Sequence, residues 1–274
     1  MLFYDVFEEI INNQVSKIES NFKEFYTKDE ALHDLRVAIR RLLSYFLVFK
    51  KYLNTDTQLL NTLKFFLKSS NMARDTQILI EKINQLDIFE NDLKELKTYL
   101  EKEYGIQKSN FYNILSLSFD DFLIKINQTI VQKSYRKDGF FDFKFETIAF
   151  LSLNAQAKKI KKIKPAKKNL HKLRIEYKKY RYILEILQKT QVQNQKIQER
   201  LIQLRQLQDK LGYVQDLSVH IEYLKSLKTI LPDSINAIEA LIETFKSNLK
   251  QKRKKVIFLL SFLRFFEINW GEHA

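Results

Sequence analysis

The sequence predicts an all-α protein built from two related helical halves. Glycine occurs 4 times and proline 2 times in 274 residues, whereas average usage would give about 19 and about 14. Apolar residues recur at spacings of three and four along most of the chain, the period of a helix with one buried face. A pattern in the first part of the chain also recurs in the second part, which predicts two four-helix-type bundles about a pseudo-twofold axis.

The first half is predicted to contain four helices. An apolar stripe marks one of them, and its members are Leu32, Leu35, Ile39, Leu42, Phe46, Phe49 and Leu53. Thr27 and Glu30 fit a capping box, which predicts the start of this helix. The other helices are predicted at 59–83, 86–104 and 109–131. Residues 134–142 include Gly139 and few periodic apolar residues, so we expect them to connect the halves.

The second half is predicted to contain five helical segments. They span 143–163, 170–187, 194–211, 214–229 and 233–268. Pro165 separates the first two segments, and its position suits the first turn of a new helix. Pro232 marks the break before the last helix. The apolar stripe of the second segment consists of Leu170, Leu173, Tyr177, Tyr180, Leu184 and Leu187.

The internal repeat is the most informative feature of the sequence. Residues 33–41 (HDLRVAIRR) align with residues 171–179 (HKLRIEYKK), and six of the nine positions match in chemical type. Asp75 and Asp216 follow at similar distances, and they are predicted to brace neighbouring arginines or to cap helices. The repeat divides a single domain, 1–274, into halves at 1–135 and 140–274.

The net charge of the chain indicates which kinds of molecule it can bind. The chain carries 47 Lys and Arg against 33 Asp and Glu, a formal net charge of +14, and such a field attracts polyanions. No cysteine occurs, which excludes disulfides and thiolate chemistry. No apolar run is long enough to span a bilayer, and the acidic N-terminus does not resemble a secretory signal. We therefore expect a soluble cytoplasmic protein that does not enter a membrane.

Each repeat carries a stripe of cations beside its apolar face. A helical step of about 100° per residue places Arg36 and Arg40 near His33, next to the core. The second stripe contains Lys167, His171, Arg174, Lys178 and Arg181. Arginine offers a planar fork to phosphate oxygens and lysine a compact charge, so paired stripes suit a long phosphate anion.

Each stripe also has a plainer interpretation. A single stripe is ordinarily a solvated helix face, and repetition of the pattern is what favours binding. The histidines are either ligand contacts or buried structural residues, and the spacing indicates no metal site. The lysine-rich run 158–168 is either a self-repelling solvated face or a further contact for a polyanion, and 250–255 is a weaker analogue.

The motifs around the two histidines closely resemble the CHAD family, the conserved histidine α-helical domain. The resemblance rests on residues 32–41, 170–182 and 207–216 and covers essentially the whole chain. It implies two pseudo-symmetric helical bundles, a basic groove or channel between them, polyphosphate binding and association with polyphosphate granules. Ser70 and Asn71 replace the usual Leu-Gly of the family, which makes the helix junction there a point of departure.

Three functions are compatible with these features. The leading prediction is non-catalytic binding of inorganic polyphosphate, without a cofactor. The alternatives are nucleic-acid binding, which would need aromatic residues presented with the cations, and phosphoanhydride cleavage, which would need metal-holding carboxylates. The oligomeric state stays open. The predicted contacts are His33, Arg36, Arg40, Arg41, Arg74, Lys164, Lys167, His171, Arg174, Lys178, Lys179 and Arg181.

Overall fold

The all-α prediction is confirmed. The computed structural model describes residues 1–28, 30–86, 93–190 and 194–266. For residues 264–266 it describes the backbone only. Within these ranges the protein has no strand and nine α-helices, none of which is long and apolar enough to cross a membrane. The helices are α1 (Phe3–Lys23), α2 (Ala31–Val48), α3 (Thr57–Ser69), α4 (Asn71–Asn84), α5 (Lys94–Val131), α6 (Phe145–Lys162), α7 (Leu170–Thr190), α8 (Gln195–Leu227) and α9 (Ile235–Phe266).

The helices pack in the same sequential order in both halves of the chain. In the first half α1 packs on α2, α2 on α3, and α4 on α5. In the second half α6 packs on α7, α7 on α8, and α8 on α9. Contacts between the halves are made by α1 with α6, α2 with α7 and α4 with α8. The twofold relation itself stays a prediction.

The apolar stripes of α2 and α7 hold these two helices in the core. On α2 the buried members are Leu32, Leu35, Ile39, Leu42 and Phe46. On α7 they are Leu170, Leu173, Tyr177, Leu184 and Leu187. Because each stripe occupies one side of its helix, the neighbouring basic residues lie at the border between core and solvent. The predicted stripe extends beyond the end of α2. Phe49 and Leu53 follow the helix in sequence and are also buried.

Two predicted helix breaks are wrong. α5 continues through Gly105 and α8 through Gly212, where separate helices were expected. A single glycine costs a helix only about 1 kcal/mol, less than the burial of apolar residues such as Leu100 and Phe111 stabilises it. Of the segment predicted at 86–104, residues 87–92 lie outside the described residues, as does the predicted end of the last helix at 267–268.

Two helix starts and one predicted continuous helix also need correction. The segment 59–83 is divided at Ser70, where α3 ends and α4 begins. Thr27 does not cap α2, because its hydroxyl donates to the carbonyl oxygen of Glu24 at 3.3 Å. Pro165 precedes a short 3₁₀ turn, Lys167–Asn169, and does not lie in the first turn of α7.

The connection between the halves is fastened to the N-terminus. Residues 134–142 are non-helical, as predicted. The backbone N–H of Phe3 donates to the carbonyl oxygen of Phe143 at 2.9 Å. The hydroxyl of Tyr4 donates to the carbonyl oxygen of Tyr52 at 3.0 Å and accepts from the backbone N–H of Lys137 at 2.7 Å. These bonds tie the start of the second half to α1.

Replacing Tyr4 by phenylalanine should therefore destabilise the protein. The substitution leaves the N–H of Lys137 and the carbonyl of Tyr52 without their buried partner, which costs about 1–3 kcal/mol. Urea unfolding of Tyr4→Phe measures this loss. The control is Tyr26→Phe, because Tyr26 is 58% exposed, and its free energy of unfolding should change by less than about 0.5 kcal/mol. Equal unfolding midpoints for the two variants would contradict the assignment.

Candidate functional site

Basic residues from both halves converge where α2 and α4 meet α7 and α8. Arg40 comes from α2, Arg74 from α4, and Arg174 and Lys178 from α7. Burial lowers the pKa of Arg40, and the positive charges of Arg174 and Arg74 lower it further. We call these four residues the basic cluster. The packing of α2 on α7 thus brings the two predicted stripes together.

Three members of the basic cluster have no protein partner. Among the described residues, Arg40, Arg174 and Lys178 make no hydrogen bond or ion pair, and the Nε of Arg174 is fully buried. Burial, then repulsion from Arg40, Arg174 and Arg181, lowers the pKa of Lys178 to about 6. Arg74 is different, because its Nη1 donates to Gln77 Oε1 at 2.9 Å. The centre of the cluster therefore gathers basic groups that no direct hydrogen bond or ion pair within the described residues neutralises.

Two acidic residues border the cluster. Burial raises the pKa of Asp75 on α4; the charge of Arg36 opposes this shift and that of Asp216 adds to it. On α8, Asp216 Oδ2 lies 3.9 Å from Lys82 Nζ, and that ammonium lies 4.7 Å from the ring centre of Tyr213. The structure therefore pairs Asp216 with a lysine, whereas the sequence predicted that it would brace an arginine or cap a helix.

A buried histidine lies beside these acids. His220 on α8 is 1% exposed, and its Nε2 lies 3.0 Å from the carbonyl oxygen of Asp75, which makes Nε2 the donor. Its Nδ1 is buried without a hydrogen-bond partner. Burial, then repulsion from Lys82, lowers the pKa of His220 to about 3. His220 is therefore neutral in the folded protein at ordinary pH.

Arg36 lies beside the cluster but is occupied by the protein. It is 5% exposed, and burial, with repulsion from Arg40, lowers its pKa to about 9. Its Nη1 donates to the carbonyl oxygen of Leu67 at 3.1 Å and to the hydroxyl of Ser70, and its Nη2 donates to Asn71 Oδ1 at 2.9 Å. All three acceptors lie at the junction of α3 and α4.

A second link between the halves lies further along α2 and α7. Arg41 Nη2 lies 3.2 Å from Glu185 Oε2, and Arg181 Nε lies 3.6 Å from Glu185 Oε1. Both guanidinium groups also lie over the ring of Tyr182, at 5.7 and 5.2 Å from its centre. One carboxylate thus holds two arginines from opposite halves.

The remaining predicted contacts lie outside the centre of the cluster. His33 is partly buried, and burial followed by the charge of Arg74 lowers its pKa. The exposed His171 places Nδ1 3.2 Å from Gln215 Oε1. Lys179 forms an ion pair with Glu176 at 2.8 Å. The last two predicted contacts are Lys164 and Lys167, which are exposed in the segment between α6 and α7.

Sequence reasoning missed several residues that shape the site. The spacing of Arg181 and Glu185, four residues apart on one helix, would have indicated their ion pair. Lys82 and His220 carried no such signal, because the residues they contact are distant along the chain. Within the described residues, no group of three or more acidic or histidine side chains is arranged to hold a metal ion.

Fold and site together define an all-helical domain in which cations from two halves meet. The sequence pattern of the CHAD domain matches residues 9–225, and the chain belongs to the CHAD family. The crystal structure of the CHAD domain from the plant Ricinus communis superposes with a TM-score of 0.82 at 18% sequence identity, covering 95% of this chain and 92% of that one. That similarity confirms the fold.

A second solved structure shares the architecture. PptA from Streptomyces chartreusis superposes with a TM-score of 0.68 at 12% identity, covering 95% of this chain and 99% of that chain. A comparison of the sequence with curated proteins gave no match. At these identities the two structures establish the fold alone.

The buried His220 should make stability depend on pH. Its pKa of about 3 in the folded protein is below the value near 6.5 of an unfolded histidine, so the unfolded state binds a proton first. Stability attributable to neutral His220 is complete above pH 6.5 and is lost as pH falls towards 3, at up to about 1.4 kcal/mol per pH unit.

Urea unfolding of the wild type and of His220→Gln at pH 7 and at pH 5 measures this effect. Glutamine retains an N–H for the carbonyl of Asp75 and does not titrate, so the variant should lose less stability than the wild type over this interval. Equal losses in the two proteins would show that His220 is not buried in its neutral form.

Proposed function

We propose that this protein binds inorganic polyphosphate at the basic cluster, and that its role is binding rather than catalysis. The observation that supports this most strongly is the set of three cations, Arg40, Arg174 and Lys178, gathered from both halves without a protein partner. Burying basic groups without direct partners is unfavourable, and the nearby Asp75 and Asp216 offset this only in part. A bound anion would supply negative charge in direct contact with these groups.

The chemistry of the cluster favours phosphate. Guanidinium groups of Arg40 and Arg174 can each donate two parallel hydrogen bonds to phosphate oxygens, and the neighbouring Lys178 adds a compact charge when it is protonated. Cations contributed by separate helices match an anion with charges spread along a chain better than a single phosphate. The resemblance to the CHAD family led us to expect the same ligand, and with it a cytoplasmic protein associated with polyphosphate granules.

Nucleic acid is the other polyanion to consider. Sequence-tolerant binding of single strands uses exposed aromatic rings on which bases stack. On α7 the tyrosines beside the cluster are engaged with the core: Tyr177 and Tyr182 are buried, and the half-buried Tyr180 packs against it. Polyphosphate has no bases and needs no such rings, so the cluster suits it better. Failure of polyphosphate to displace RNA at matched phosphate concentration would favour nucleic acid instead.

Removing the three unpartnered cations should abolish tight binding. Each charge-assisted hydrogen bond contributes about 1.5–3 kcal/mol, so Arg40→Gln/Arg174→Gln/Lys178→Gln should lower polyphosphate affinity by at least about 100-fold. Isothermal titration in moderate salt measures it. The control makes the same number of substitutions at exposed lysines, as Lys64→Gln/Lys94→Gln/Lys102→Gln, and should lower affinity by less than about tenfold. Equal losses would mean that net charge, not the cluster, determines binding.

Binding should also take up a proton at Lys178. With a pKa of about 6, this amine is mostly neutral at pH 7.5, and a neighbouring phosphate favours its charged form. Affinity should therefore fall as pH rises above 6. Calorimetry at pH 7.5 in two buffers of different ionisation enthalpy counts the protons, and the wild type should take up more than Lys178→Met. The same number in both proteins would exclude Lys178 as the proton acceptor.

A further inference from the structure

The two arginines related by the internal repeat, Arg36 and Arg174, lie in different surroundings. We propose that Arg174 is a phosphate contact, whereas Arg36 is a structural residue that fastens the junction of α3 and α4. This inference rests on the proposed function and goes beyond it, because the repeat alone assigns both arginines the same role. It makes the binding site asymmetric, with its centre in the second half.

Arg36 has little left to offer a ligand. Both terminal nitrogens of its guanidinium already donate to the protein, to Leu67, Ser70 and Asn71. The side chain is 5% exposed, so an anion could reach it only by displacing these acceptors. Three hydrogen-bond acceptors around one buried cation are the arrangement expected of a structural arginine.

The junction needs these bonds because the helix is interrupted there. The last carbonyl groups of α3, including that of Leu67, lack the intrahelical partners of a continuous helix. Arg36 donates to this carbonyl at 3.1 Å, and the hydroxyl of Ser70 lies 3.1 Å from the same oxygen. Arg36 therefore links α2 to the end of α3 and, through Asn71, to the start of α4.

The corresponding place in the second half has no such acceptors. By the repeat, Leu211 and Gly212 occupy the positions of Ser70 and Asn71, and α8 runs through them without a break. A β-carbon on Gly212 would lie 3.6 Å from Nη2 of Arg174, so this guanidinium rests against the backbone of α8. The helical carbonyl groups there are used within the helix.

Arg174 therefore keeps its hydrogen-bonding capacity. Its Nε is buried without a partner, and no bond to another described residue occupies its terminal nitrogens. It repels the neighbouring Arg40 and Lys178, which are also unpartnered. Two residue differences, Ser70 for leucine and Asn71 for glycine, thus supply the side-chain acceptors that hold Arg36 and that Arg174 lacks.

The first arm of the test compares Arg36→Met with Arg174→Met, by thermal unfolding and by titration with polyphosphate. Arg36→Met should lower the melting temperature by at least about 5 °C and change affinity by less than about threefold. Arg174→Met should lower affinity by at least about tenfold and change the melting temperature by less than about 3 °C. Equal losses of affinity in both variants would overturn the inference.

The second arm exchanges the acceptors and does not depend on Arg36→Met folding. Ser70→Leu/Asn71→Gly gives the first half the residues of the second, releases Arg36, and should raise affinity by at least about threefold. Gly212→Asn gives Arg174 an acceptor, and should lower affinity by about tenfold. An unchanged polyphosphate affinity in either variant would overturn the inference. Absence of polyphosphate binding by the wild type would instead refute the proposed function.

Discussion

Repulsion between Arg40, Arg174 and Lys178 is the constraint around which the two halves are arranged. The apolar stripes of α2 and α7 are buried, and the packing of these two helices against each other brings the basic borders of both stripes together. Hydrophobic burial supplies the favourable free energy, and the crowding of cations opposes it. Burial first, and then this repulsion, lowers the pKa of Lys178.

Other contacts hold the two halves together despite this repulsion. Glu185 holds Arg41 and Arg181 together across the halves, and the bonds of Tyr4 fasten the connection between them. These contacts keep the halves in place while the centre stays positively charged. Such an arrangement is preorganised for an anion, because the cations are already gathered before the ligand arrives and little order has to be imposed on binding.

Local patterns predicted the helices well and their breaks poorly. The stripe from Leu32 to Phe46 determined the buried face of α2, since a strong 3.6-residue period has few other solutions. Gly105 and Gly212 looked like helix ends but lie within long helices, because tertiary packing outweighs a small local penalty. The stripes were predictable from the repeat. The repeat did not predict that the stripes converge, because this depends on how α2 packs against α7. It also did not predict that the protein occupies Arg36, because the acceptors lie about thirty residues away in sequence.

The central proposal is that a phosphate chain occupies the centre of the basic cluster. A crystal structure of the protein with a short polyphosphate tests this most directly. Phosphate oxygens should lie within hydrogen-bonding distance, about 3 Å, of Arg40, Arg174 and Lys178. A ligand bound only along the exposed lysines between α6 and α7, with the cluster unoccupied, would contradict the account.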